Sequence, residues 1–175
     1  MQVDLSNLND LRIITYPHPI LAQMAQPVER ITPEITALAE RMTDLMIESS
    51  GVGLAAPQVG VSLRLIVVSP TGKRDDAEVL VNPQLSDCQG DFRMEEGCLS
   101  IPDVRATVRR YAVCRVSALN LDGNRFITDA VEFAATIYQH ETDHLNGILF
   151  IDRLNTVSRL ACQRTLRQLE QQYES

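Results

Sequence analysis

Gln139-His140-Glu141-Thr142-Asp143-His144 is the stretch on which the reading of this chain turns. Phe133, Ala134, Ile137, Tyr138 and Leu145 surround it at helical spacing, so it is predicted to lie on a helix that stops near Asn146-Gly147. Residues four apart on a helix stand just over one turn apart and share a face. His140 and His144 can therefore reach one divalent cation at about 2.0–2.1 Å. Glu141 projects beside the pair, where its carboxylate can take a proton from a water next to the ion. H-E-x-x-H on a helix is a signature of zinc hydrolases. A bare histidine pair at this spacing is more often structural. The intervening Glu141 and the apolar neighbours Phe133 and Ile137 favour a metal.

A catalytic metal site needs a third protein ligand and an open position. Cys98 is the candidate, within Glu95-Glu96-Gly97-Cys98-Leu99-Ser100-Ile101-Pro102, where Gly97 lets the backbone approach another element closely. Spacing alone leaves open that Cys98 is an inert buried thiol. A third segment, Gly51-Val52-Gly53-Leu54-Ala55-Ala56-Pro57-Gln58, has little side chain near its backbone, which suits a loop lying along a ligand or strand edge. Its terminal Gln58 carries an amide able to donate to a developing oxyanion.

Outward from these segments, Thr32 and Pro33 mark the start of a helix with Ile35, Leu38, Ala39, Met42, Leu45 and Met46 on one side, ending at Ser49-Ser50-Gly51. Leu63 to Val68 reads as a buried strand, and Val79 to Val81 as another closed by Asn82-Pro83. A long extended stretch from Thr107 to Leu121 leads to Asp122-Gly123, a tight hairpin signal before Arg125-Phe126-Ile127. Asp129 with Glu132 resembles a capping box, so the metal helix is expected to begin near Asp129. A last helix is expected from about Asn155, with Val157, Leu160, Ala161, Leu166, Leu169 and Tyr173 as its apolar side. The fold class is α+β: mostly antiparallel strands packed around a central metal-binding helix, with N- and C-terminal flanking helices. No linker divides the chain, so residues 1–175 are expected to form a single catalytic domain, with 153–175 its C-terminal helix.

The formal net charge is −7, which disfavours a whole-protein role in gripping nucleic acid or anionic membrane. No apolar run approaches the length of a membrane span. Met1-Gln2-Val3-Asp4-Leu5 has neither a basic nor an apolar leader region, so a cytoplasmic location is expected. Cys88, Cys98, Cys114 and Cys162 form no C-x-x-C pair and no secreted disulfide framework. Apart from Cys98 they are expected to be buried, unreactive thiols. His18, in Tyr16-Pro17-His18-Pro19, is expected to be exposed on a rigid turn.

Together the three segments resemble peptide deformylases, which show G-x-G-L-A-A-x-Q, E-G-C-L-S and Q-H-E-x-D-H in that order. Here all three are complete, at Gly51 to Gln58, Glu96 to Ser100 and Gln139 to His144. The resemblance implies removal of the formyl group from N-formyl-methionyl peptides, releasing formate. It implies Cys98, His140 and His144 as metal ligands, Glu141 as acid and base, and Gln58 with the backbone N–H of Leu99 as oxyanion donors. It puts Val52, Gly53, Phe133, Thr136, Ile137 and His140 around the methionine pocket, and Gly97 and Arg105 along the rest of the peptide. It implies one divalent ion, ferrous iron in the cell, with zinc or nickel as substitutes. A substrate that emerges from the ribosome gives the arginines of residues 153–175 (Arg153, Arg159, Arg164, Arg167) an expected role in ribosome contact. Two other readings are a zinc endopeptidase, which would usually take a further Glu or His ligand downstream, and a structural metal site, which would need a fourth protein ligand.

Overall fold

The computed structural model describes residues 7–173. The leader reading of Met1 to Leu5 and the last two residues of the expected 153–175 helix lie outside them. Helix α1 spans Pro33–Glu48, and its predicted stripe from Ile35 to Met46 is buried. Thr32 takes the N-cap position, but its side chain makes no capping hydrogen bond. Strands β1 (Gly53–Ala55), β2 (Leu65–Val68) and β3 (Glu78–Gln89) follow. Next come β4 (Phe92–Cys98), β5 (Ile101–Arg110), β6 (Val113–Leu119) and β7 (Arg125–Val131). Helix α2 is Glu132–Leu145 and α3 is Thr156–Tyr173.

Five strands make an antiparallel sheet in the order β1-β2-β3-β6-β7, while β4 and β5 pair as a separate hairpin. Strand β2 is buried on both faces, which explains why Leu65-Ile66-Val67-Val68 is a continuous apolar run. Its Leu65 and Val67 pack with α1, and its Ile66 and Val68 pack with Ala135, Ile137, Tyr138 and Leu145 of α2. A third cluster joins β5 to Leu149, Phe150 and Ile151, and to Cys162 and Leu166 of α3. The helix of the histidines is thus wedged between the large sheet and the hairpin.

The structure departs from the sequence reading at several points. Asn82-Pro83 does not end a strand. Asn82 takes a left-handed φ of 52°, and β3 continues past a shift in register. The stretch from Thr107 to Leu121 is broken at Tyr111-Ala112, so it belongs to two strands in different sheets. The hairpin around Asp122-Gly123 forms as expected, with Gly123 at φ 80° and Asn120 and Asn124 bonded across the turn. Asp129 lies in β7, where its carboxylate binds Arg115 across the ladder at 2.8 Å, and the helix starts three residues later. Glu132 begins it at φ 48°, tied by its N–H to the carbonyl of Ala112 at 2.6 Å.

The apolar side of α3 is also different. Val157, Leu160 and Tyr173 are exposed, whereas Leu166 is buried and Leu169 packs against the core as expected, with Cys162 joining them. Cys88 and Cys114 are paired as a disulfide across β3 and β6, against the expectation of separate thiols. Their Cα atoms stand 4.2 Å apart, where the β3–β6 register shifts between Ser86 and Gln89. His18 is half-buried rather than exposed. Its Nδ1 accepts from the N–H of Ile20 at 3.3 Å, and its ring meets Tyr173 edge-on.

Candidate active site

Three elements converge on one point. Helix α2 supplies His140, Glu141 and His144; the end of β4 supplies Cys98; the helical turn Ala56–Val59 after β1 supplies Gln58. The pairing register slips between Gly97 and Cys98, and an irregularity of this kind re-aims a side chain out of the strand pleat. Cys98 Sγ lies 3.3 Å from His144 Nε2, and His144 Nε2 lies 3.3 Å from His140 Nε2. Two nitrogens bound to one tetrahedral ion at about 2.0–2.1 Å stand roughly 3.3–3.4 Å apart, so the imidazoles are already at the separation a shared ion requires. The three ligand atoms all lie within 4.8 Å of one another. Among the described residues this cluster has three members, which matches a site with an open fourth position.

The histidines are held from behind. His140 Nδ1 is 2.8 Å from Glu96 Oε2. An ionised carboxylate can only accept, so Nδ1 carries the proton and Nε2 turns its lone pair toward Cys98 and His144. Burial opposes ionisation of Glu96, but hydrogen bonds from Arg110 and His140 outweigh it and pull its carboxyl down to about 2. Arg110 grips Glu96 through Nε and Nη2 at 2.8 and 2.9 Å, and both side chains are almost fully enclosed. Without an ion, burial disfavours a charged His140, yet its contacts with Cys98 and Glu96 raise its pKa, whereas burial lowers that of His144.

Glu141 is 4% exposed, and its Oε2 has no hydrogen-bond partner among the described residues. Burial is the main influence on it and pushes its pKa up to about 7. A carboxyl so placed can take up and release a proton near neutrality. Gly53 makes its position possible, because a Cβ there would collide with the Glu141 carboxylate. Gln58 is fixed at its other end, its Oε1 accepting from the N–H of Ala55 at 2.8 Å. Its Nε2 therefore points at Cys98 Sγ, 3.5 Å away, and at Ser100 Oγ, 3.2 Å away. Leu99 occupies the turn between β4 and β5, beside Cys98.

A cavity of about 530 Å³ opens over this cluster. Its lining includes Val52, Gly53, Gln58, Gly97, Cys98, Leu99, Arg105, Phe133, Thr136, Ile137, His140 and Glu141. Every expected site residue except His144 lines it, and His144 joins from beneath through Cys98 and His140. Sequence reasoning gave no role to Glu96, Ser100, Arg110 or Asp143. Glu96 and Asp143 stand inside the quoted motifs, yet nothing in their spacing reveals that Arg110 bridges them. Gly51 supplies the bareness expected of its loop. A Cβ there would come within 2.8 Å of Leu99, so its bareness lets the loop pack against the cysteine turn.

The profile of the family described as polypeptide deformylase matches residues 10–160. A peptide deformylase of Acidobacterium capsulatum is 42% identical over 160 residues, covering 90% of this chain and 94% of the relative. One of Rhodopirellula baltica is 39% identical over 167 residues, covering 94% and 83%. The crystal structure of a peptide deformylase from Legionella pneumophila superposes with a TM-score of 0.86 at 38% identity, covering 94% of this chain and 97% of that one. A plant peptide deformylase gives 0.92 at 34% identity, covering 99% and 94%. A peptide deformylase from Plasmodium falciparum gives 0.90 at 32% identity, covering 93% and 97%. Matched in sequence and in fold over nearly its whole length, the chain belongs to the polypeptide deformylase family.

Proposed function

We propose that Glu141 is the acid and base of a hydrolysis in which the chain removes the N-formyl group from formyl-methionine at the start of newly made polypeptides. The products are formate and a free amino terminus. The observation that carries this reading is a buried carboxylate with one oxygen unpartnered among the described residues, facing a cavity beside Cys98, His140 and His144. Cys98, His140 and His144 would hold a divalent ion, which when bound would supply Lewis acidity and make water a usable nucleophile near neutral pH. Glu141 takes the proton from that water. As the formyl carbon becomes tetrahedral, Gln58 Nε2 and the Leu99 N–H donate to its oxygen, a contribution of about 3–4 kcal/mol per donor in comparable sites. Glu141 then returns the proton to the departing nitrogen. The methionine side chain occupies the part of the cavity formed by Val52, Gly53, Phe133, Thr136 and Ile137. The peptide runs past Gly97 and Arg105, adding a strand beside β4, whose only strand partner among the described residues is β5. Formate release from formyl-Met-Ala-Ser, compared between wild type and Cys98→Ala, tests the assignment. The wild type should turn over and the variant should not. Equal rates would refute it.

The working ion is ferrous iron, a choice that rests on the family resemblance, with zinc or nickel as substitutes. Anaerobic purification with metal analysis and matched assays should find iron most active, and equal activity with every metal would empty the distinction. The 175 residues act as one catalytic domain in the cytoplasm. Among the described residues no helix is long and apolar enough to cross a membrane. Ribosome contact is made by the exposed Arg159, Arg164 and Arg167 of α3. Arg164→Glu with Arg167→Glu should reduce co-sedimentation with ribosomes while leaving formate release intact. Unchanged co-sedimentation would remove this role.

A further inference from the structure

Arg153 was grouped by sequence with the docking arginines of the C-terminal segment, but the fold employs it elsewhere. It ends the helical turn Phe150–Arg153 that precedes α3. Its guanidinium binds both carboxylate oxygens of Asp143, Nε to Oδ2 and Nη2 to Oδ1, each at 2.5 Å. Asp143 Oδ2 also accepts from Arg110 Nη1 at 2.5 Å. Arg110 spends its remaining donors on Glu96, and Glu96 fixes His140. The chain of contacts runs Arg153, Asp143, Arg110, Glu96, His140. It contains two guanidiniums and two carboxylates, so its charges balance. The side chains of Arg110, Glu96 and Asp143 are 2%, 4% and 8% exposed, whereas that of Arg153 is 41% exposed. Arg153 is the end of the chain that solvent reaches.

We propose that Arg153 is a positioning residue for the metal centre, acting through Asp143, Arg110 and Glu96 to hold the ring of His140. The inference rests on the proposed metal-dependent reaction. Arg110 serves two carboxylates with one guanidinium, and it can give Glu96 a two-pronged grip because Arg153 satisfies most of Asp143. Without Arg153, Asp143 Oδ1 loses the donor it has here. Asp143 is then a buried carboxylate seeking a second bond, and Arg110 is the nearest source. A guanidinium drawn toward Asp143 loosens its fork on Glu96, and with it the acceptor that fixes the His140 tautomer and orientation. A lysine keeps the charge at 153 but cannot reproduce the planar fork.

The test compares zinc-loaded wild type, Arg153→Gln and Arg153→Lys. The first readout is the rate of zinc loss to excess EDTA at a temperature well below unfolding. The second is kcat and KM for formyl-Met-Ala-Ser. Direct partners of metal-bound histidines are worth about 10–100-fold in affinity or activity, so a residue that reaches Glu96 only through Asp143 and Arg110 should give less, about 3–10-fold. Arg153→Gln is expected to lose zinc about 3–10-fold faster and to lower kcat by a similar factor, with KM within about twofold. Arg153→Lys should fall between wild type and Arg153→Gln. If Arg153→Gln is too unstable to purify, Arg153→Lys alone decides, because it too should lose zinc faster than wild type. Zinc loss and kcat matching wild type would overturn the proposal even if the melting temperature dropped, since a merely structural ion pair does only that. A wild type that neither holds zinc nor releases formate would instead refute the underlying reading.

Discussion

Glu141 and Asp143 are two carboxylates two residues apart on one helix, 4% and 5% exposed, and the fold treats them in opposite ways. Asp143 is gripped by two guanidiniums. Glu141 has no ion pair among those the described residues form, and burial drives its pKa up to about 7. Burial alone therefore does not define a functional carboxylate. A buried acid with its charge matched holds geometry, and a buried acid without a counter-ion has a proton to exchange. The helix keeps these tasks apart because consecutive odd positions point about 200° apart around its axis, one toward the cavity and one toward Arg110.

The contrast can be broken from either side. Asp143→Asn should cost about 3–5 kcal/mol of stability by leaving the buried Arg110 guanidinium without one of its two carboxylates, while kcat of the folded fraction falls no more than about tenfold. Denaturant unfolding with a parallel formate assay checks this, and a catalytic collapse without loss of stability would reverse the two roles. Gln58→Ala should lower kcat about 10²–10³-fold with a small change in KM, as loss of an oxyanion donor does. A rise in KM alone would make Gln58 a substrate-binding group. Gly53→Ala should slow turnover on the order of 10²-fold, because the added methyl displaces the Glu141 carboxylate. Steady-state kinetics on a variant with native circular dichroism measures it.

The smallest effect lies far from the site. Tyr16 donates to Glu170 of α3 at 2.5 Å; burial, then the Glu170 contact, pushes its pKa up to about 12. A raised tyrosine pKa means that the folded state favours the neutral phenol. Its contribution is complete below the ordinary value of 10.0 and is lost as pH rises through about 12. Hydrogen exchange of α3 should therefore accelerate over that window in wild type, and Tyr16→Phe should abolish the pH step.

The chemistry of the site was readable in sequence because it rests on local spacing. Four residues on a helix put His140 and His144 on one face whatever surrounds them. The scaffold was less readable because its decisive contacts join residues far apart in the chain. Asp129 and Glu132 have capping-box spacing, yet Arg115 on the neighbouring strand takes Asp129 and keeps it in β7. Val157 and Leu160 fit one apolar stripe with Leu166, but the surface α3 packs on takes Leu166 together with Cys162 and leaves those two exposed. The link from Arg153 to His140 uses residues from four segments, and no pattern within one segment could reveal it.

The most direct test of the whole account is Glu141→Gln, with bound metal and formate release measured on the same preparation. The account predicts a full complement of metal, since Glu141 is not a ligand, and a kcat about 10²–10⁴-fold lower, the usual value of a general acid-base group. Formate release near the wild-type rate with the ion in place would contradict it.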